Sequence, residues 1–427
     1  MTVLVFLFSL CGAMALGMPV AFALLVCGLA LMLWLGQVDA QILAQNLVIG
    51  ADNFQLLAIP FFLLAGELMN AGGLSKRIVN FALAWVGHLH GGLGYVAIIA
   101  AVIMASLSGS AAADTAALAA ILIPMMRQAG YPVGRSAGLI CSGGIIAPVI
   151  PPSIGFIVFG VAANVSITRL FVAGVFPGIL MGVTLAITWW FVARRDKVAT
   201  FPKLPFRARF QSILDGFWAL LMPVFILGGI RFGVVTPTEA AVVAAVYALI
   251  IGMFVYRELK PRELYDVLLI SAKSTASIMF LVAAALVSAW LITGANIPGE
   301  ISGVLQPLIE RPKLLMAAMM VLVIIVGTAL DFAPTVLILT PILMPLVRQA
   351  GIDPVYFGVL FIINNAIGLL TPPVGIVLNV VSGVARVPMW EVMKGVWPFF
   401  VTLTALLFLM VVFPEIVTVP ARFILGR

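Results

Sequence analysis

The sequence predicts an all-α polytopic membrane protein built from two inverted-topology repeats, each with a re-entrant helical hairpin and a proline-broken transmembrane helix. Three observations lead to this fold class. The 427 residues are 63% hydrophobic and only 9% charged, which excludes a soluble globular domain. Long apolar runs approach the roughly 20 residues that one helical crossing needs. Distinctive segments also recur along the chain at a single spacing.

The apolar runs give the first set of predicted spans. They cover residues 3–34, 171–192, 240–255, 268–292, 314–326 and 399–412. The first stretch is read as a retained span, because it lacks the positive start and cleavage site of a signal peptide. It is either one kinked span or two spans broken at Gly17-Met18-Pro19, and the uncharged start favours two.

The basic residues fix the orientation. The densest cluster lies in residues 194–209, which contain six Lys and Arg residues and one acidic residue, Asp196. The positive-inside rule places this loop, and the next basic loop at residues 257–262, on the cytoplasmic side. Because the basic residues gather at span ends rather than on an aromatic-interleaved face, a nucleic-acid partner is not expected.

An internal duplication organises the chain. "ILIPMMRQAG" at residues 121–130 and "ILMPLVRQAG" at residues 342–351 are 221 residues apart. The same offset aligns Pro151-Pro152 with Pro372-Pro373, and "GVFP" at 174–177 with "GVWP" at 395–398. Three matches in one register predict two copies of one structural unit.

Each copy combines a polar tip with a double-proline segment. The tips are "SLSGSAAAD" (106–114) and "GTALDFAPT" (327–335), and the double-proline segments are residues 143–155 and 364–375. The arms of the first tip, 94–105 and 111–126, are too short to cross separately with ease. A re-entrant hairpin is therefore predicted, and its tip and the proline break leave backbone oxygens without helical partners.

Counting crossings from the cytoplasmic loops places the two hairpins on opposite faces of the membrane. Inverted repeats with discontinuous helices that meet near the midplane are the architecture of secondary transporters. Residues 74–89 and 298–312 are predicted to be interfacial arm helices.

The predicted division of the chain has five parts. Residues 1–92 form N-terminal scaffold spans and an arm helix, 93–165 the first transport-domain half, and 166–313 a closing span, a cytoplasmic linker, scaffold spans and the second arm. Residues 314–385 form the second transport-domain half, and 386–427 the closing span and C-terminus.

Five segments carry a family resemblance. They are "ASLSGSAAADTAAL", "APVIPPSIGFIVFG", "GVVTPTEAAVVAAVYAL", "LDFAPTVLILTPILMPL" and "GLLTPPVG". Together they resemble the large membrane subunit of tripartite ATP-independent periplasmic (TRAP) transporters, the DctM-like family. The resemblance implies sodium-driven uptake of a small organic acid by an elevator-type domain in the bacterial inner membrane. It also implies a periplasmic substrate-binding protein and a separate small four-helix membrane subunit as partners.

Sodium (Na+), the expected coupling ion, is a hard cation that favours carbonyl and hydroxyl oxygens. The hypothesis for the first ion site combines the tip residues Ser106, Ser108 and Gly109 with carbonyls at Gly144 and Ala147. The hypothesis for the second combines Gly327, Thr328 and Ala329 with Gly368 and Thr371. For each residue alone, helix packing is an equally good explanation.

The substrate is expected between the tips, where helix N-termini present positive dipole ends to an anion. The candidate substrate-binding residues are Ser110, Ser153, Thr335, Asn364 and Asn365. The positive charge that an anionic substrate requires comes from the helix dipoles and bound sodium, or from Arg231 if this residue lies closer to the tips than the sequence suggests. The intramembrane carboxylates Asp114 and Asp331 could sense sodium, carry a proton, or cap the second hairpin arm.

Two other functions are alternatives to a TRAP transporter subunit. A stand-alone sodium-coupled carboxylate transporter would share the hairpins but need no binding protein. An intramembrane enzyme is remote, because Asp266 lies at the membrane edge and Asp331 lies deep, so the two cannot share a proton. No catalytic residue is expected, and no metal other than sodium. The sequence leaves open the particular acid, the sodium stoichiometry, the oligomeric state and the role of Glu67.

Overall fold

The first part of the chain is a set of helices that precede the first repeat. The computed structural model describes residues 2–36, 38–194, 198 and 200–425. The first helices are α1 (Thr2–Ala15), α2 (Val20–Leu35), α3 (Ala40–Ala51), α4 (Ala58–Ala71) and α5 (Leu74–Val86). A 3₁₀ turn at Phe54–Leu57 extends α4 into a span of 18 residues. The first apolar stretch is two helices packed on each other, because the chain turns at Gly17 and Pro19.

The first repeat contains the expected hairpin and broken helix. Its helices are α6 (Gly92–Ser108), α7 (Ala111–Gln128), α8 (Val133–Gly144), α9 (Ile154–Ala163) and α10 (Ile167–Ala193). The arms α6 and α7 have 17 and 18 residues, so they are longer than the sequence suggested. Gly92 and Gly94 lie inside α6 rather than ending it. The shortness of the arms is therefore not what makes this segment a hairpin.

The middle of the chain supplies long connecting spans. These helices are α11 (Phe206–Arg231), α12 (Pro237–Ile250), α13 (Pro261–Gly294) and α14 (Ile297–Ile309). A π-helical turn at Ile251–Val255 extends α12. The "TPTE" part of the family-like segment starts α12 as a capping box, in which Thr236 and Glu239 exchange side-chain and backbone hydrogen bonds. Helices α5 and α14 lie where the two arms were predicted.

The second repeat reproduces the first. Its helices are α15 (Pro312–Ala329), α16 (Phe332–Gln349), α17 (Pro354–Gly368), α18 (Ile376–Ala385) and α19 (Met389–Val412), followed by α20 (Glu415–Leu425). The 221-residue offset carries the end of α6 onto the end of α15 and the start of α7 onto the start of α16. Pro151-Pro152 and Pro372-Pro373 are both cis at the equivalent breaks.

The helix count makes the two repeats inverted. Eight helical segments in the described residues are long and apolar enough to cross a membrane. Between the hairpins, the chain crosses once each through the broken helix α8–α9 and through α10, α11, α12 and α13. Because this number is odd, the second hairpin enters from the face opposite to the first.

The halves interlock through two equivalent arginines. Arg127, at the end of α7, donates from Nη2 to the carbonyl oxygen of Ala385, 2.8 Å away, at the end of α18. Arg348, at the end of α16, donates from Nη2 to the carbonyl oxygen of Ala163, 3.0 Å away, at the end of α9. Each hairpin thus supplies a hydrogen-bond donor to a carbonyl oxygen at the C-terminal end of the other repeat's broken helix.

Candidate functional site

The first hairpin tip is seated directly on the first helix break. Gly109, between α6 and α7, has φ +63°, a left-handed conformation that favours glycine. A Cβ atom built on it would lie 2.5 Å from the carbonyl oxygen of Pro152 and 3.3 Å from the backbone nitrogen of Ile154. Only glycine lets the tip backbone approach the break this closely. The tip therefore lies at the depth of the break, which makes the hairpin re-entrant.

A buried carboxylate lies behind this tip. The Ser108 hydroxyl donates to Oδ1 of Asp114 over 2.6 Å, and the backbone N–H of Ser110 donates to Oγ of Ser108 over 3.1 Å. Asp114 is 2% exposed, and its Oδ2 has no hydrogen-bond partner among the described residues. Asp114 is not the cap of α7, since Ser110 occupies that position. The capping role considered for Asp114 is therefore wrong.

Thr115 also lies at this tip, although it is not among the residues predicted for the first ion site. A Cβ atom on Gly144 would fall 1.7 Å from Oγ1 of Thr115, so this hydroxyl lies against the end of α8. Thr115 is fully buried, and Oγ1 has no partner in the described part of the chain. The sequence did contain one signal for Thr115. The residue at the equivalent position of the second repeat is Val336, which has no hydroxyl.

The other predicted members of the first ion site have local partners. The Ser106 hydroxyl donates over 2.6 Å to the carbonyl oxygen of Ile103, within its own helix. Ala147 is buried in the break, and its N–H donates to the carbonyl oxygen of Gly144 over 3.2 Å. The structure therefore brings Ser108, Gly109 and Gly144 to one tip and break, while the hydroxyl of Ser106 serves α6.

The second site forms where α15 and α17 touch. A Cβ atom on Gly368 would lie 3.3 Å from both the Cα and the carbonyl oxygen of Gly327. The Asn365 side chain donates from Nδ2 to the carbonyl oxygen of Phe332 over 2.7 Å, and its Oδ1 faces Gly327. The Thr371 hydroxyl donates to the carbonyl oxygen of Gly368 over 2.6 Å. Groups from α15, α16, α17 and the break that follows α17 thus meet here.

Thr328 and Ala329 lie on the more open side of this tip. Ala329 is exposed, and the hydroxyl of Thr328 donates to the carbonyl oxygen of Ile325 over 2.7 Å. Asp331 caps α16, accepting the N–H of Phe332 at 2.6 Å. Of the three roles considered for Asp331, capping is therefore one that it performs.

The predicted substrate residues are mostly engaged in local bonds. The hydroxyls of Ser110 and Ser153 cap α7 and α9, accepting N–H groups at 3.4 and 3.1 Å. The Thr335 hydroxyl donates to the carbonyl oxygen of Asp331 over 2.8 Å. Nδ2 of Asn364 donates to the carbonyl oxygen of Met320 over 2.6 Å, which leaves its buried Oδ1 without a partner among the described residues.

Arg231 is not brought to the tips by any described contact. It is exposed at the end of α11, and its guanidinium lies 5.6 Å from the ring centroid of Phe232. The helices that begin at the tips and breaks, and so have the positive ends of their dipoles there, are α7, α9, α16 and α18.

A scaffold helix also reaches the first tip. A Cβ atom on Gly66, in α4, would lie 2.8 Å from Cβ of Ser108. Glu67 follows directly and is half-buried. This contact could not be predicted from local sequence patterns, because it joins segments more than 40 residues apart. It makes α4 part of the wall around the first site.

A cleft separates scaffold helices from the interlocked repeats. It encloses about 690 Å³ between α3 and α13 on one side and α9 and α16 on the other. Gly50, Ala162, Ala163 and Ala289 line it together with larger side chains, among them Trp290, Met344 and Arg348.

Two inverted repeats, each with a hairpin tip seated on a broken helix, define a secondary transporter. The family follows from comparison with known proteins. Residues 7–416 match the family model described as "Tripartite ATP-independent periplasmic transporter, DctM component". The chain belongs to this family, which confirms the resemblance seen in the sequence.

Characterised relatives are similar over nearly the whole chain. The 2,3-diketo-L-gulonate TRAP transporter large permease protein of Escherichia coli is 57% identical over 424 residues, covering 99% of this chain and 100% of the relative. The sialic acid TRAP transporter large permease protein of Vibrio cholerae is 38% identical, covering 98% of each chain. The C4-dicarboxylate TRAP transporter large permease protein of Pseudomonas aeruginosa is 39% identical, covering 88% of each.

A solved structure shares the fold. The crystal structure of the Alcanivorax borkumensis YdaH transporter, reported to have an unusual topology, superposes with a TM-score of 0.60. The alignment covers 88% of this chain and 89% of that chain at 14% sequence identity. At this identity the likeness concerns the arrangement of helices alone.

Proposed function

We propose that this chain is the large membrane subunit through which a small organic acid enters the cell together with sodium, by an elevator-type movement of the two repeats. The observation that carries the proposal is the repeated seating of a hairpin tip on a helix break. Among the described residues, three buried oxygens without hydrogen-bond partners lie at these two places: Oδ2 of Asp114, Oγ1 of Thr115 and Oδ1 of Asn364.

Sodium binding accounts for the two atoms at the first tip, Oδ2 of Asp114 and Oγ1 of Thr115, whereas Oδ1 of Asn364 is assigned to the substrate. A buried oxygen without a partner is costly, and a cation that it coordinates removes that cost. For the first ion we propose Ser108, Gly109, Gly144 and Thr115, with the charge of Asp114 nearby; Ser106 and Ala147 shape the backbone around it. For the second we propose Gly327, Asn365, Gly368 and Thr371, with Thr328 and Ala329 at the open side of the tip.

The substrate anion is proposed to lie between the two ion sites. The helices α7, α9, α16 and α18 begin at the tips and breaks and have their positive dipole ends at these places, and bound sodium would add positive charge. Ser110, Ser153, Thr335, Asn364 and Asn365 remain the candidate contacts. The relatives named for diketogulonate, sialic acid and C4-dicarboxylates support a small carboxylate as the substrate class.

The elevator movement is supported by the way that scaffold and repeats meet. The proposed moving body contains residues 93–165 and 314–385, and the arm helices α5 and α14 brace the scaffold. The 690 Å³ cleft and the Gly66–Ser108 contact lie along the boundary. The cleft leaves unfilled space between the two bodies, into which one of them can move relative to the other.

The partners and the location follow from the family. We propose that the chain works in the bacterial inner membrane with a separate small membrane subunit and a periplasmic binding protein that delivers the acid. The family description names a tripartite periplasmic transporter, and the relatives are named large permease proteins.

Uptake by proteoliposomes tests the whole proposal. The chain is reconstituted with a co-expressed small subunit, and entry of labelled carboxylates is measured with and without an inward sodium gradient and a binding protein. Uptake that requires both supports the proposal. Sodium-driven uptake that ignores the binding protein supports the stand-alone carboxylate transporter instead, and uptake indifferent to sodium contradicts both ion sites.

A further inference from the structure

A polar cavity lies between the arm helix α5, the helix α11 and the loop that follows α12. It encloses about 490 Å³, and none of the residues proposed for ion or substrate binding lines it. Two cations, Lys76 and Arg77, and two carboxylates, Asp215 and Glu258, line it. The cavity therefore presents charges of both signs.

The cavity lies at the cytoplasmic membrane–water boundary. Val255, the last residue of the span formed by α12 and its π-helical turn, lines it. Glu258 belongs to the basic loop at residues 257–262, which the positive-inside rule assigns to the cytoplasm. Trp218 and Tyr256 also line the cavity, and such aromatic side chains concentrate at this boundary. The cavity is therefore at the level of the lipid head groups of the inner leaflet.

One cation and one carboxylate of the cavity are paired with each other. Nη1 of Arg77 donates to Oε1 of Glu258 over 2.7 Å and to the carbonyl oxygen of Gly73 over 3.0 Å. The guanidinium carbon of Arg77 lies 3.7 Å from the ring centroid of Tyr256. These contacts hold Arg77 and Glu258 in place. In the bonds that the structure describes only Nη1 donates, so the guanidinium keeps further N–H donors for a ligand.

The other two charged groups, Lys76 and Asp215, are available. Lys76 forms no hydrogen bond or ion pair with a described residue, and Asp215 accepts one hydrogen bond, from Nε2 of Gln211 at 2.9 Å. Lys76 and Asp215 are both exposed in the folded chain. A purely anionic ligand would be repelled by the carboxylates, and a purely cationic one by Lys76 and Arg77. Charge complementarity therefore favours a ligand that carries both signs.

An apolar surface continues from the charged lining. Leu214 and Val255 line the cavity and are 52% and 43% exposed. Their helices also expose Phe217 and Phe254, which are large apolar side chains. A dissolved zwitterion would leave this surface uncovered, whereas the acyl chains of a lipid would cover it.

We propose that a phospholipid with a primary-amine head group, phosphatidylethanolamine, occupies this cavity. Its phosphate would lie beside Lys76 and Arg77, and its ammonium group would donate to Asp215 and Glu258. Its acyl chains would run along Leu214. Phosphatidylglycerol lacks the amine, and the quaternary ammonium of phosphatidylcholine has no N–H to donate. The lipid would join α5 to α11 and to the loop after α12, whatever solute the chain transports.

Native mass spectrometry of the full chain in detergent tests this site. Wild type, K76Q, D215N and the control R262Q/D266N are titrated with the dioleoyl forms of phosphatidylethanolamine, phosphatidylglycerol and phosphatidylcholine. The control removes one charge of each sign from exposed positions of α13 that do not line the cavity.

Wild type should retain one phosphatidylethanolamine per chain in preference to the other two lipids. K76Q and D215N should each lower the affinity for it roughly fivefold, and the control should change it little. D215N should also remove the preference over phosphatidylglycerol, because the amine then has lost its acceptor. A loss of packing alone would not change which head group is preferred.

Several results would overturn the proposal. They are equal retention of the three lipids by wild type, an unchanged preference in D215N, or an equal loss in the control. Displacement of the lipid by millimolar glycerophosphoethanolamine would also overturn it, since that result would indicate a site for a dissolved zwitterion. A second measurement needs no variant: a photoactivatable phosphatidylethanolamine on wild type should label peptides that contain Leu214 or Val255. Labelling confined to other helices would contradict the assignment.

Discussion

Gly327 and Gly368 pack backbone against backbone, with no side chain between α15 and α17 at this point. A Cβ atom on Gly368 would come within 3.3 Å of the carbonyl oxygen of Gly327, and one on Gly327 within 3.6 Å of the Cα of Gly368. The contact brings carbonyl oxygens of a hairpin arm and of a broken helix to the same place. That is the geometry from which we propose the second sodium site.

Replacing Gly368 by alanine should weaken sodium coupling. The added methyl group would push the Gly327 carbonyl by a few tenths of an ångström, and hard cations require closely set oxygens. We expect the sodium concentration for half-maximal uptake to rise severalfold. Gly383→Ala in α18, where a Cβ would meet nothing within 4 Å, is the matched control. An unchanged sodium dependence in G368A would remove this contact from the ion site.

Thr115→Val tests whether the hydroxyl of Thr115 is an ion ligand or only packs against its neighbours. Valine keeps the shape of threonine, and the second repeat has Val336 at the equivalent position. If the hydroxyl only packs, removing a buried oxygen without a partner should leave stability equal or higher. We expect stability to be retained but sodium affinity to fall roughly tenfold, since hydrogen bonds or contacts to a charge contribute more than about 1.4 kcal/mol.

The control for this variant is Thr404→Val. Oγ1 of Thr404 is likewise buried and without a partner in the described residues, but it lies on α19. Isothermal titration with sodium in detergent measures both variants. Equal sodium affinities for wild type and T115V would show that the hydroxyl is not a ligand.

Ser108→Ala should destabilise the first tip. It removes the 2.6 Å hydrogen bond to Asp114 and leaves both carboxyl oxygens of a buried side chain without a donor. Such a loss costs about 1–3 kcal/mol, so both the thermal midpoint and uptake should fall. Ser142→Ala is the control, because the Ser142 hydroxyl donates to a helix carbonyl and its removal leaves no buried acceptor newly unpaired. Similar midpoints for the two variants would contradict the role of this bond.

Gly66→Ala should disfavour the position of the first hairpin that the structure shows. The new methyl group would lie 2.8 Å from Cβ of Ser108, a distance that requires α4 or the tip to shift. Overpacking of this kind costs about 1–3 kcal/mol, here on the tip-seated state alone. We expect uptake to fall while the chain remains monodisperse in gel filtration. Gly228→Ala in α11, with open space at its Cβ, should transport like wild type.

Arg348→Met should loosen the contact between the repeats. It removes the hydrogen bond to the carbonyl oxygen of Ala163 and the favourable interaction of a cation with a helix C-terminus. The expected loss is about 1 kcal/mol of stability, measured as a lower thermal midpoint, and Arg127→Met should behave alike. Arg262→Met, an exposed arginine in the first turn of α13, is the control.

The sequence predicted the parts of the fold that local chemistry determines. The tip around Gly109 and the break at Pro151-Pro152 follow from residues next to one another in the chain. The 221-residue offset could be recognised because each repeated segment is itself a continuous run of residues. The division of the first apolar stretch into two helices at Gly17–Pro19 was one of the two predicted possibilities, and it too depends on local residues. The arm lengths were underestimated, since glycines at the start of α6 are tolerated when tertiary packing supports the helix.

The site was harder to predict, because its members lose or gain partners only on folding. Nothing local shows that the hydroxyl of Ser106 would bond within α6 while that of Thr115 would remain without a partner. Gly66 meets Ser108 only through the packing of α4 on the first tip.

The paired arginines have a consequence for the origin of the molecule. Arg127 reaches from the first repeat to Ala385 in the second, and Arg348 makes the reverse contact to Ala163. In a homodimer, reciprocal contacts of this kind define an isologous interface. One ancestral half-length chain, inserted into the membrane in both directions, could therefore have assembled with itself through a single arginine, before gene fusion made the two orientations permanent.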